Sequence, residues 1–205
     1  MLLDIVILPP RGLREKIGAR ARKAAAGIKC KYLIDNRKLI PHVSLFHIRT
    51  DRAGYIKIQK KLLEISQEAK PFHMRAVGFE SPEGSGYFWI RYHNSKSFKA
   101  LHKKVLSELH PLRRGRIISR SLIKPSASQS RYWKKYGSPY ILKLLTPHIT
   151  IGRLKDPDLI LQRKIAGRFG QLSSDFKNSE LALCEVNHDC QVNKILKTFK
   201  LKNSR

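Results

Sequence analysis

Leu39-Ile40-Pro41-His42-Val43-Ser44-Leu45 recurs later in the chain as Leu145-Thr146-Pro147-His148-Ile149-Thr150-Ile151. The leucine, proline and histidine are identical in the two copies, and the last three pairs of residues are conservative. A helix pattern and then two strand patterns follow each copy. An internal repeat of a half-domain is the economical interpretation.

Both stretches have the apolar flanks of buried strands, in which alternate side chains share a face. We therefore expect His42 and Ser44 on the open face of one strand, with Val43 and Leu45 in the core. His148 and Thr150 occupy the equivalent places in the second strand. Each strand would present an imidazole and a hydroxyl, two residues apart.

Two such strands that face each other across a cleft are suited to acid–base chemistry. A neutral histidine can remove a proton from water, and a protonated one can donate to a leaving oxygen. The hydroxyls of Ser44 and Thr150 can donate to phosphoryl oxygens as negative charge develops there, without a metal ion. For one motif alone, a structural histidine bonded at an interface between two lobes is the alternative.

The paired, flanked motifs resemble the 2H phosphoesterase superfamily, which includes RNA 2′,3′-cyclic phosphodiesterases and 2′-5′ RNA ligase-like proteins. The resemblance implies a bilobal α+β fold with pseudo-two-fold symmetry and a central cleft. It implies hydrolysis of cyclic or 2′,5′-linked phosphodiesters, with His42 as the acid and His148 as the base. Ser44 and Thr150 would bind phosphate. Arg153 would be a further cation near it, with an ordinary surface arginine as the alternative.

The rest of the chain predicts a single α+β domain over residues 1–205, because helices alternate with hairpins. Residues 2–7 read as a first strand, and the Asp4 inside this run argues against a signal peptide. The remaining elements are predicted as strands at 38–49, 71–79, 86–92, 140–154, 180–187 and 192–201, and helices at 11–26, 54–69, 96–110 and from Asp156-Pro157.

The charge balance indicates a polyanionic partner. The chain has 42 Lys and Arg against 15 Asp and Glu, a formal net charge of +27. Such a surface favours nucleic acid first and an anionic membrane surface second, and no apolar run approaches the ~18 residues of a membrane span. We expect a monomer that binds RNA or a nucleotide substrate without membrane insertion. Six cations of the 11–26 helix would either be solvated or face phosphate.

Residues 111–140 are predicted to be a long basic loop, with eight Lys or Arg and no acidic residue. Arg131, Trp133, Lys134 and Lys135 are candidate RNA contacts, because cations and aromatic rings together grip single strands. A disordered insertion and a lid over the active site are the alternatives. Phe46, Tyr87 and Trp89 could likewise stack on a base or pack in the core.

Metal and cofactor sites are not expected. Cys184, His188 and Cys190 lie close in sequence, but strand spacing scatters them over both faces and no fourth zinc ligand is evident. Three cysteines without CxxC spacing suit reduced thiols in a cytoplasm. His47 and the other histidines outside the two motifs are assigned no role.

These observations predict a metal-independent phosphodiesterase that acts on 2′,3′-cyclic or 2′,5′-linked phosphates of RNA ends or nucleotides. A non-catalytic RNA-binding protein on the same fold and a 2′-5′ RNA ligase are the alternatives. Charge supports binding and catalysis equally, whereas the paired histidines favour catalysis.

Overall fold

The chain forms an α+β fold in the computed structural model, which describes residues 1–82, 84–116 and 125–202. The predicted fold class is confirmed. The strands are β1 Leu2–Ile7, β2 Cys30–Leu33, β3 Val43–Arg49, β4 Phe72–Met74, β5 Ala76–Glu80, β6 Tyr87–Tyr92, β7 His148–Leu154, β8 Phe176–Asn178, β9 Glu180–Val186 and β10 Val192–Lys200. The helices are α1 Arg11–Ala24, α2 Arg52–Glu68, α3 Lys96–Leu109, α4 Ala127–Tyr136 and α5 Leu159–Phe169.

One antiparallel sheet places the two motif strands side by side at its centre. Its strand order is β10-β9-β1-β3-β7-β6-β5, β2 pairs with the far end of β7, and β4 and β8 form a separate ribbon. The pairing between β3 and β7 consists of Val43 opposite Ile149. The motif strands therefore join a half-sheet made by β1, β9 and β10 to another made by β5 and β6. The pseudo-two-fold symmetry implied by the resemblance stays a prediction.

The helices cover the face of the sheet on which the side chains of Val43 and Ile149 lie. Helix α1 packs on α5 and against β7, while α2 packs on α3, which contacts β3. The predicted apolar stripes are confirmed as the buried faces of these helices, for example Ile17 in α1 and Phe98 in α3. The opposite face carries the polar motif residues, and we call it the open face.

Each motif strand contains a β-bulge at the same point of the repeat. In β3, pairing with β1 skips Leu45, and in β7, pairing with β6 skips Ile151. A bulge shifts the alternation of side chains by one residue. The open face therefore continues at His47 and Arg153, which stand at equivalent positions of the two copies.

The bulge in β3 decides the position of Phe46. Strict alternation from His42 and Ser44 placed Phe46 on the open face, where it could contact a base. Phe46 is instead 1% exposed and belongs to the main core. The stacking role considered for it is wrong, because the extra residue turns the ring inward.

Part of the segment 111–140 is helical, although a loop is predicted for all of it. Helix α4 occupies residues 127–136 and begins with a capping box, in which Ser126 and Gln129 bond each other's backbone N–H. Gly137 ends the helix with a positive φ of 77°, a conformation that glycine adopts without strain. The capping pattern is present in the sequence, so the prediction of a loop was wrong here. Residues 117–124 lie outside the described residues.

The other differences are local. The cap of α5 is Asp158, which accepts from Leu161 N–H, rather than the predicted Asp156. The strand predicted over 140–154 begins only at His148, and β2 and β8 were not predicted. No helix within the described ranges has the length and apolar character needed to cross a membrane.

Gly152 is the tightest position next to the bulge of β7. An added Cβ would lie 2.7 Å from Phe88 Cζ and 2.9 Å from the Tyr32 carbonyl oxygen. Gly152→Val should therefore lower the free energy of unfolding by ~1–3 kcal/mol, the usual cost of overpacking. Urea unfolding measures this change.

Gly167 is the matched control, because nothing lies within 4 Å of a Cβ added there. Gly167→Ala in α5 should leave stability unchanged or raise it by up to about 1 kcal/mol, since alanine favours helix. Equal effects of the two substitutions would contradict the close packing at Gly152.

Candidate active site

The first motif ends a loop and begins β3. His42 is 5% exposed, and its Nδ1 lies 2.7 Å from the Ile40 carbonyl oxygen. A carbonyl can only accept, so Nδ1 carries the proton and Nε2 is the atom left to exchange protons. The Ser44 hydroxyl donates to Asp4 Oδ2 at 2.6 Å.

The second motif repeats this local arrangement at the start of β7. Nδ1 of His148 lies 2.8 Å from the Thr146 carbonyl oxygen, so Nε2 is again the exchangeable nitrogen. The imidazole is half-buried against Trp89, with ring centroids 4.7 Å apart. The Thr150 hydroxyl has no hydrogen-bond partner in the described part of the chain. Two copies of one sequence thus fix the same histidine tautomer.

The pairing of Val43 with Ile149 brings the motifs together. In an antiparallel pair, the neighbours on either side face each other in crossed order. His42 therefore lies toward Thr150, and Ser44 toward His148. The four predicted motif residues converge on one small area of the open face.

Both motif histidines are disposed to be neutral. Burial lowers the pKa of His42, against an opposing contribution from Asp4. Burial also lowers the pKa of His148, and the nearby His42 and His47 lower it further. Each effect disfavours the charged ring, because a buried cation loses hydration and like charges repel.

Asp4 and His47 belong to this site, although the sequence analysis gave neither a role there. Asp4 of β1 is 0% exposed. Its Oδ2 lies 3.1 Å from His47 Nε2 and 3.8 Å from His42 Nε2. Asp4 is cross-strand from His47, and the β3 bulge is what turns His47 to this face. A carboxylate within the apolar run 2–7 was the available signal, since buried charges require partners.

Arg153 lies at the far end of the open face. Its guanidinium carbon is 4.7 Å from the centre of the Tyr87 ring, a cation–π contact. Tyr87 and Trp89 share this face, as predicted, with ring centroids 6.5 Å apart. The Trp89 indole N–H donates to Glu80, which also pairs with Arg91.

A cavity of about 410 Å³ opens beside the site. Its lining includes Tyr32 and Leu33 of β2, Leu39 from the loop before His42, and Asn187 and Asn193 from the β9–β10 hairpin. Tyr32 is cross-strand from Arg153. The cavity thus combines one aromatic ring, aliphatic side chains and two amides with two charged side chains, Asp35 and Lys38.

The candidate RNA contacts on α4 form a separate surface. Arg131, Lys134 and Lys135 are exposed, and Trp133 is half-buried. Tyr136, on the inner side of the helix, packs edge-on against His110 at 5.1 Å.

The cations of α1 are largely engaged within the protein. Arg20 donates to the carbonyl oxygens of Phe169 and Gln171, both at 2.8 Å, and Arg22 to that of Asp35 at 2.6 Å. Arg11 pairs with Glu15. Arg20 thus ties α1 to the C-terminal end of α5, and Arg22 ties it to the loop after β2, so part of the charge of α1 is engaged without a phosphate.

No group of three or more His, Cys, Asp or Glu side chains that could hold a metal ion occurs in the described ranges. Cys184 is buried in a small second core, whereas His188 is exposed and pairs with Asp189. The zinc site considered for Cys184, His188 and Cys190 does not form.

Comparison with known proteins places this chain in a family. A crystal structure of TT0787 of Thermus thermophilus is similar over 100% of both chains, with a TM-score of 0.63 and 16% identity. E. coli LigT complexed with 3′-AMP is similar over 97% of this chain and 96% of that one, with a TM-score of 0.54 and 15% identity. At such identities these likenesses show the fold. No curated protein matches the sequence. A sequence model described as the 2′-5′ RNA ligase superfamily matches residues 14–189, and the chain belongs to that superfamily.

Proposed function

We propose that this protein is a metal-independent phosphodiesterase that opens 2′,3′-cyclic phosphates at RNA ends by two-histidine acid–base catalysis. The observation that carries the proposal is the matched geometry of His42 and His148. Each ring donates Nδ1–H to the carbonyl two residues earlier and keeps Nε2 for proton exchange. A purely structural histidine does not need an exchangeable second nitrogen in the neighbourhood of another such histidine.

The reaction requires one proton to be removed and another supplied. Neutral His148 takes a proton from water as the water oxygen bonds to phosphorus. Protonated His42 gives its Nε2 proton to the ribose oxygen as the bond from phosphorus to that oxygen breaks. A phosphate monoester results, and proton exchange with solvent restores both rings.

Charge on the phosphoryl oxygens needs donors in the transition state. Thr150 suits this role, because its hydroxyl is not engaged by other described residues. Ser44 can take part only if its hydroxyl turns away from Asp4. Arg153 would approach the phosphate by leaving the Tyr87 ring, a contact between partly exposed groups.

RNA ends are favoured over free nucleotides by the basic surface. The net charge of +27 exceeds what a single cyclic phosphate requires, and the exposed cations of α4 offer phosphate contacts beyond the cleaved end. The cavity next to Arg153 could accept the terminal nucleoside, since its tyrosine ring and amides suit a base.

Non-catalytic RNA binding is the second candidate, and the same net charge favours it. Such a protein needs cations and aromatic rings but no pair of acid–base groups. A ligase would run the proposed chemistry backwards, and bulk water favours hydrolysis. Turnover of a cyclic mononucleotide separates the enzyme from the binding protein.

Removing either histidine should abolish most turnover. His42→Ala and His148→Ala should each lower kcat on a 2′,3′-cyclic mononucleotide by ~10²–10⁴, the usual loss for a positioned acid or base. The double variant should lose little more, because the two rings act in one step. His73→Ala, on the separate β4–β8 ribbon, is the control. Wild-type turnover in both single variants would contradict the mechanism.

Chelation should leave the activity intact. Histidines and hydroxyls suffice for a cyclic phosphate, and the described residues contain no cluster suited to a metal-activated water. Initial rates measured with and without EDTA should therefore agree. Reversible loss of activity, restored by a divalent cation, would refute a metal-independent reaction.

Neutralising α4 should weaken RNA binding while sparing the chemistry. The triple variant Arg131→Ala, Lys134→Ala, Lys135→Ala should lower affinity for single-stranded RNA. The log–log salt slope should become shallower by up to ~0.7 for each lost phosphate contact. Trp133→Ala tests base stacking separately, with a loss of ~1–3 kcal/mol expected. Fluorescence anisotropy across a salt series measures both effects.

Hydrolysis of a cyclic mononucleotide should be unchanged in the triple variant. Lys57→Ala, Lys60→Ala, Lys99→Ala removes the same charge from exposed sites on α2 and α3 and is the control. Equal losses of RNA affinity in the two triple variants would mean that α4 contributes only its net charge and is not a specific binding surface. Equal loss on RNA and mononucleotide would instead indicate a lid.

A further inference from the structure

Acid–base catalysis by two histidines needs the rings in opposite protonation states. In this site burial lowers the pKa of both. The repeated sequence fixes the same tautomer in both. Some other group must therefore favour a proton on one ring over the other.

Asp4 is the group that breaks this equivalence. Its Oδ2 lies 3.8 Å from His42 Nε2. His148 has no carboxylate within 4.0 Å among the described residues. When His42 is neutral, the Nε2 lone pair faces a negative oxygen, which is unfavourable. When His42 is protonated, the same contact becomes an ion pair in a buried site, where charges are weakly screened.

Two donors hold the carboxylate in place. The Ser44 hydroxyl donates to Oδ2 at 2.6 Å. His47 Nε2 lies 3.1 Å from Oδ2 and 3.2 Å from the Cys190 carbonyl oxygen. Both neighbours of this nitrogen are acceptors, so it carries a proton and donates. Oδ1 is buried and has no hydrogen-bond partner among the described residues.

We propose that Asp4 is a positioning residue that makes His42 the general acid and leaves His148 as the general base. This inference rests on the proposed function, and Asp4 acts through His42 rather than on the substrate. His47 and Ser44 orient the carboxylate. The repeat supplies two chemically equal histidines, and β1, which lies outside the repeated motif, makes them unequal.

Among the other titratable groups around Asp4 and the two rings, His47 lowers the pKa of both His42 and His148 and so favours a proton on neither. Burial raises the pKa of the Cys184 thiol, and burial raises that of Cys190 to about 11, so both are neutral near pH 7. Glu80 is the carboxylate on the His148 side, where its contribution to the His148 pKa is the smallest of those acting. Glu80 is also occupied by Arg91 and Trp89.

The pH profile of Asp4→Asn tests the proposal with a side chain of the same shape. Loss of the negative charge makes protonated His42 less stable, so its pKa falls. The alkaline limb of kcat for a 2′,3′-cyclic mononucleotide should move to lower pH by about one unit, as expected for a lost neighbouring charge. The acid limb, set by His148, should stay in place. Asp175→Asn, which removes an exposed carboxylate that bonds Ala76 N–H, is the control.

A lower kcat in Asp4→Asn with neither limb of the pH profile shifted would indicate a purely structural role for Asp4 and overturn the proposal. Movement of the acid limb alone would overturn it as well, because Asp4 would then govern the base. The sign of the shift thus separates the proposal from general damage to the site.

Titration of the wild-type histidines by ¹⁵N NMR gives a readout that does not depend on activity. His42 should titrate at a higher pH than His148, with signals assigned from His42→Gln and His148→Gln. The reverse order would overturn the proposal. If cyclic phosphates are not hydrolysed at all, the proposed function fails, and comparing the titration order of the wild type with that of Asp4→Asn still reports whether Asp4 makes the two rings unequal.

Discussion

The contact of Val43 with Ile149 is the constraint on which the rest of this structure depends. It joins β3 to β7 and thereby the two halves of the sheet. Because β7 continues along β2 beyond this point, the motif strands touch at one place. The two histidines flank that place on the open face. The apolar side chains of Val43 and Ile149 pack in the core where the two strands pair. The same two residues therefore determine the packing of the strands and the relative positions of the two histidines.

Matching β-bulges extend the structural repeat beyond the seven residues that are similar in sequence. Leu45 and Ile151 are the extra residues, and each turns the position after next onto the open face. That position is His47 in one copy and Arg153 in the other. His47 pairs with a carboxylate, whereas Arg153 stacks on a tyrosine. The same β-bulge therefore places two different side chains, with different partners, at equivalent positions of the open face.

Net charge alone does not identify a binding surface. Two arginines of α1, Arg20 and Arg22, donate to backbone carbonyl oxygens of neighbouring segments. A buried or bridging guanidinium is then a structural group, and its charge is offset by backbone dipoles. On α4 the cations project into solvent, while Tyr136 anchors the helix against His110. The cations of the two helices differ because carbonyl oxygens of neighbouring segments lie within hydrogen-bond distance of Arg20 and Arg22 in α1, whereas the cations of α4 face solvent.

The sequence by itself determined the α+β fold class, the main helices and the four motif residues. These features can be predicted from short stretches of sequence, because apolar periodicity and a repeated motif with apolar flanks involve residues that are close together in the chain. Tertiary structure decided the positions of Phe46 and His47, because one extra residue in a strand reverses the alternation of faces. It also decided the surroundings of Asp4, whose neighbours His42, Ser44 and His47 lie about 40 residues further along the chain. A carboxylate in an apolar strand signals an unpaired charge, but only the pairing of β1 with β3 specifies which groups satisfy it.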